Sequence, residues 1–155
     1  MAQQGKIDFK NKLKQFCHES IEQRIEVAKV AIKNAQEAAN SEEKSSAGDK
    51  YETARAMGHL EKNMHARQLT ENLKELAILH SINTNTICAA AITGAFIQCT
   101  GVSFFIAAGV GKQIVEGETI LFLSPHAPLA KLLLGKRTGD NFLFNGINTV
   151  IVDVY

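Results

Sequence analysis

The sequence predicts an α+β protein: an antiparallel two-helix hairpin over residues 1–82, then a small antiparallel sheet domain with one short helix over 83–155. Three observations point there. Most of the chain's 17 basic and 16 acidic side chains fall in the first 80 residues, while the remainder carries four of each. The first part holds long stretches of good helix formers with apolar residues at helical spacing. The second holds short apolar runs set between glycine-containing turns, which is the pattern of strands.

Bulk composition narrows the classes of function. With 155 residues, 45% apolar and 21% charged, the chain has enough apolar surface to fold as one or two small domains. A net charge of +1 gives no whole-molecule field to recruit nucleic acid. Any such contact would run through a local patch or another protein. Cys17, Cys88 and Cys99 form no C-x-x-C pair and are odd in number, so a disulfide framework is not expected. Met1 to Gly5 lack the apolar core of a signal peptide. The apolar stretch from Ile87 to Ile106 is broken by Thr93, Gly94, Gln98, Thr100, Gly101 and Ser103, too often to span a bilayer. The expectation is a soluble, cytoplasmic protein without membrane contact.

The first helix is read over Lys6 to Asn40, where no Gly or Pro occurs. Its apolar seam is Ile21, Ile25, Ala28, Ile32, Ala35 and Ala39, spaced alternately four and three apart, as in a helix packed along one partner. Alanines 28, 35, 38 and 39 allow a close approach. A polar break follows from Asn40 to Gly48. A second helical pattern over Asp49 to His80 runs through Ala54, Met57, Leu60, Met64, Leu69, Leu73 and Leu76, with Gly58 a local weakness of roughly 1 kcal/mol. Two long helices joined by a short loop pack antiparallel, each about 45–50 Å in length. With charged outer faces the pair needs no further cover and would project as a finger. A compact bundle is the plainer reading, but no third or fourth helix is apparent in the sequence.

Strands are read at Phe104–Ile106, Ile120–Leu123, Phe142–Phe144 and Thr149–Val154, with turns at Glu116-Gly117-Glu118, Thr138 to Asn141, and Asn145-Gly146. Between them Pro128 opens a short helix through Leu134, and Gly135 closes it.

The run Ser124-Pro125-His126-Ala127-Pro128-Leu129-Ala130-Lys131-Leu132-Leu133-Leu134-Gly135-Lys136-Arg137-Thr138-Gly139-Asp140 resembles the C-terminal signature of the Gre family of transcript cleavage factors. The closing Ile151-Val152-Asp153-Val154-Tyr155 is also similar, and Gly48-Asp49-Lys50-Tyr51-Glu52 resembles the family's Gly-Asp-x-x-Glu at a hairpin tip. Order and architecture match along nearly the whole chain, a coiled-coil hairpin preceding a domain like the FKBP fold. Two departures stand out: Thr53-Ala54-Arg55-Ala56 replaces the usual Asn-Ala-Glu-Tyr, and the loop before Gly48 is longer.

The resemblance implies a transcription elongation factor that enters the secondary channel of RNA polymerase. There it would stimulate the polymerase's own cleavage of backtracked RNA, near the RNA 3′ end. On that reading Asp49 and Glu52, at a tip spanning 41–52, help hold the second magnesium ion of the polymerase active site. Ser124 and Pro125 grip the polymerase, and the factor is neither a stand-alone enzyme nor the owner of a metal site. Glu42 or Glu43 could share the acidic role. An alternative within the resemblance is a regulator that fills the channel without promoting cleavage. Spacing alone says less: Asp49 and Glu52 share one helical face and could share one cation, but Asp-x-x-Glu at a helix start is more readily a capping box, and Ser46 is another candidate cap. A monomer is expected, since the hairpin must enter a channel.

Other motifs weigh little. His18, His59, His65, His80 and His126 show no zinc-ligand spacing. Gly109-Val110-Gly111-Lys112 lacks the first glycine and the Ser/Thr of a phosphate loop, and reads as a turn. Cys99 reads as a buried structural thiol rather than a nucleophile. With no Trp to line a pocket, prolyl isomerase activity is not expected. Lys29, Lys33, Lys62 and Arg67 are interleaved with acids and read as a solvated face.

Overall fold

The computed structural model describes residues 2–44 and 49–155, with side chains over 2–40 and 52–155. Its elements run α1 (Gln3–Lys44), α2 (Asp49–Ser81), β1 (Phe96–Cys99), β2 (Ser103–Ile106), β3 (Gly111–Val115), β4 (Glu118–Leu123), α3 (Pro128–Leu133), β5 (Asn141–Phe144) and β6 (Ile147–Val154). The α+β class is as expected. By packing, the chain forms two units: Ile21–Lys74, and Met1–Ser20 together with Glu75–Tyr155. Both helices therefore cross the unit boundary, which does not fall at residues 82/83. The reason is that the beginning of α1 and the end of α2 bury their apolar side chains in the sheet unit.

In the helical unit, α1 buries Ile21, Ile25, Ala28, Ala35 and Ala39, with Ile32 half-buried, which is the seam the spacing predicts. A Cβ built on Gly58 would lie 3.4 Å from the Ala39 Cβ. Further along, Lys62 Nζ donates to Gln36 Oε1 at 2.8 Å. The two contacts advance in opposite directions along the chain, so the helices are antiparallel. On α2 the expected apolar string is only partly the packed face. Met57, Leu60, Met64 and Leu73 are 64, 71, 51 and 47% exposed. The half-buried positions are Ala54, Gly58, Lys62, His65, Leu69 and Asn72. The close approach at Ala39 and Gly58 selects small residues for the contact line and turns the larger apolar side chains outward. α1 also continues through Lys44, past the break expected at Asn40, because Glu42, Glu43 and Lys44 are themselves good helix formers.

The sheet has six strands in the order β3-β4-β2-β1-β6-β5. It is mixed rather than purely antiparallel, since β2 and β4 pair in parallel, with Phe104 beside Leu121 and Ile106 beside Leu123. The β3–β4 hairpin carries the chain back to the same end of the sheet before β4 begins. Both two-residue hairpin turns have positive φ at each central residue, Glu116 (52°) with Gly117 (80°) and Asn145 (51°) with Gly146 (78°). Such turns match the strand twist, and Asn-Gly satisfies them readily. Strands β1 and β3 were not legible in the sequence. β1 and β2 are central and covered on both faces, so their side chains do not alternate apolar with polar.

One sheet face packs on the start of α1: Phe9 meets Phe96 edge-on at 5.3 Å, and Phe16 stacks on Phe122 at 5.4 Å. The opposite face holds Ile97, Cys99, Phe104, Ile106, Leu123, Ile151 and Val154, closed by Ala130 and Leu133 of α3 and by Phe142. No described helix is long and apolar enough to cross a membrane.

Candidate functional site

Asp49 is the first residue of α2, and Glu52 follows within its first turn and is exposed. A spacing of three places both on one face, at the helix end where backbone N–H groups and the dipole favour negative charge. The Asp49 side chain lies outside the described residues, as do the side chains of Glu42 and Glu43 and the whole of Ser46. Arg55, also exposed, is three residues beyond Glu52 and thus its neighbour on the same helix. Of the basic residues on the helices, Lys29, Lys33 and Arg67 are exposed, and Lys62 is half-buried and engaged with Gln36.

Ser124 and Pro125 follow β4 directly and are half-buried. The Ser124 carbonyl accepts the Ala127 N–H at 3.0 Å and its hydroxyl oxygen accepts the His126 N–H at 3.2 Å, so the serine builds the turn into α3. Pro128 opens that helix, where its missing N–H is not needed. Beside the turn lies the 107–110 loop, which α2 holds through the Glu75 carboxylate and the Gly109 N–H. Leu132, in α3, and Leu134, just after it, are exposed.

The rest of the signature is structural. Gly135 takes φ +83° and donates to Ala91 O at 2.8 Å, and Gly139 takes φ +93°. The Asp140 carboxylate accepts the Arg137 N–H at 2.8 Å, closing the turn into β5. Cys99 is buried, and burial pushes its thiol up to about 11, which disfavours the thiolate a nucleophile needs. Gly109 and Val110 lie in the loop before β3, and Gly111 and Lys112 begin that strand.

Sequence reasoning missed the residues that join the first helix to the chain leading into the sheet. Fully buried Lys10 donates to Thr86 O at 2.8 Å, Lys14 to Ile82 O at 2.6 Å, and Asn11 Nδ2 to Asn85 Oδ1 at 3.0 Å. A cation every turn along α1 reads as a solvated face until its partners, more than 60 positions away, are known.

No protein-family model matches the chain, and no curated protein matches it. Among solved structures, that of the transcription factor Gfh1 matches at a TM-score of 0.36 and 13% identity, over 89% of this chain and 92% of that one. A likeness of that size assigns neither a family nor an activity.

Proposed function

We propose that this protein is an accessory transcription factor of Gre type. It docks on RNA polymerase through residues 83–155 and presents Asp49 and Glu52 to the polymerase's catalytic magnesium, stimulating cleavage of backtracked RNA. The observation that carries the reading is the position of the acids. They open a 33-residue helix that runs antiparallel to a second long helix, in a chain whose C-terminal part bears the Gre-like signature from Ser124 to Asp140. Two carboxylates a turn apart are the oxygen donors that magnesium accepts alongside water and phosphate. When bound, the metal lowers the pKa of a water and stabilises charge at the scissile phosphate. The chain's own task is to hold the acids one helical turn apart at a helix N-terminus, where the dipole partly offsets their mutual repulsion. Ser124 and Pro125, by fixing the entry to α3, support docking.

A second reading rests on Arg55. The resemblance calls for an acid there, and a guanidinium one turn from Glu52 partly cancels its charge. On that reading the protein fills the channel and restrains the polymerase without promoting cleavage.

One experiment separates the two. Purified protein and magnesium are added to backtracked complexes, and the RNA is sized. Cleavage support predicts shortened RNA with a new 3′ end, and Asp49→Asn with Glu52→Gln returns cleavage to the polymerase's basal rate while binding is kept. Binding with unchanged or slower cleavage by the wild type establishes the second reading. Absence of binding sinks both.

A further inference from the structure

The sheet ends in two edge strands, β3 and β5, and they are protected differently. An edge presents unpaired N–H and C=O groups, and an edge that must stay single carries a charge, a proline or a distortion. β3 has the exposed Lys112 and begins at Gly111, with φ +86°. β5 has no such device: from Asn141 through Val152 the β5–β6 hairpin holds no charged side chain and no proline. Within it Leu143, Ile147, Val150 and Val152 are 66, 68, 47 and 50% exposed.

The open edge has a defined register. Its two-residue turn makes Phe144 and Ile147 a pair that exchanges both backbone bonds, and by alternation Phe142 and Thr149 form the next such pair. The N–H and C=O of Leu143 therefore point away from β6, and among the described residues they make no turn or loop bond. An antiparallel copy of β5 centred on Leu143 satisfies both groups. That alignment sets Leu143 against Leu143 on one face and Phe142 against Phe144 on the other, both favourable cross-strand pairs. The nearest acid, Asp140, falls opposite Gly146 rather than opposite itself, so like charges do not meet across the two-fold axis.

We propose that β5 is a self-pairing edge, through which two copies of the chain join antiparallel at Leu143 and continue the sheet across a two-fold axis. A foreign strand could take the same backbone bonds, but β5 itself supplies matching apolar pairs on both faces and an uncharged surface. A two-fold contact of this kind closes on itself, and Lys112 guards the other edge, so assembly stops at two. Four-residue strands bury less than the roughly 800 Å² per partner of a standard stable interface, so the dimer is of the weak, concentration-dependent kind. The contact is independent of the polymerase reading above, and the monomer expected from the sequence is its dilute state.

Sedimentation of the full-length protein from about 10 µM to about 1 mM tests this. The average mass is expected to rise from one chain toward two, and amide exchange at Leu143 to slow severalfold at the upper concentration. Leu143→Lys, at an exposed position, keeps the fold and abolishes the dimer, whereas Ile114→Lys on β3 leaves it in place. Because the three native cysteines are buried, Leu143→Cys adds an accessible thiol. On mild oxidation it should cross-link copies about tenfold faster than Ile114→Cys, since Cα atoms about 5.5 Å apart in such a pair lie within disulfide reach. A single-chain mass at every concentration, a dimer that persists in Leu143→Lys, or equal cross-linking from the two edges overturns the proposal. Should Leu143→Lys fail to fold, exchange at Leu143 that is the same at both wild-type concentrations is the overturning result.

Discussion

Lys10 sits fully buried on α1, its ammonium donating to Thr86 O at 2.8 Å and lying 3.7 Å from Cys88 Sγ. Desolvation lowers its pKa below the ordinary 10.5, and Cys88 only partly opposes this. The folded protein therefore gives up this proton more readily than the unfolded chain does. The penalty for burying the charge is present at neutral pH and is relieved as pH rises toward 10.5. Lys10→Met removes both the penalty and the bond to Thr86 O. Urea unfolding at pH 7 and pH 10 should show the stability difference moving in favour of wild type at the higher pH. A difference independent of pH would mean that the Lys10 pKa is the same in the folded and unfolded chain.

At the scale of elements, the two helices answer their sequence patterns unequally. The α1 seam was legible because one uninterrupted run of Ile and Ala at alternating spacing admits only one buried line. The α2 line was not, because two candidate faces compete and the larger apolar side chains lie on the wrong one. Contact through Ala39 and Gly58 decides the matter, and that depends on the partner helix rather than on α2 itself. The contrast is measurable. Met57→Gln, Leu60→Gln and Met64→Gln should each change stability by no more than about 0.5 kcal/mol. Ile25→Ala, at a position 7% exposed, should cost about 2–5 kcal/mol. Chemical denaturation of the four variants checks this, and a large loss in any glutamine variant would place that residue in contact after all. Among the strands, the hairpin turns at Glu116-Gly117 and Asn145-Gly146 were readable from composition. β1 and β3 were not, the first because it is covered on both faces and the second because it is short and starts at Gly111, which adopts φ +86°. The role proposed for the acids of α2 rests on the resemblance, since spacing alone favours a helix cap over a metal ligand.

Taken whole, the chain does not divide where its composition changes. Phe9 and Phe16 of α1 cover Phe96 and Phe122, so the sheet unit takes in Met1–Ser20 as well as Glu75–Tyr155. A fragment of residues 83–155 would expose that aromatic face to water. It is expected to lose the dispersed amide and methyl NMR signals of a packed core and to aggregate, whereas the intact chain keeps them; a well-dispersed fragment spectrum would show the strands to be self-sufficient. The Asn11–Asn85 and Lys10–Thr86 bonds bridge 74 and 76 positions of sequence. Closing a random loop of that length costs on the order of 4 kcal/mol in chain entropy. Helices that zip locally shorten the search, because once they have wound together the two stretches that must meet are already neighbours. A seam that looks like mere scaffolding thereby lowers the entropic cost of joining two stretches that lie far apart in sequence.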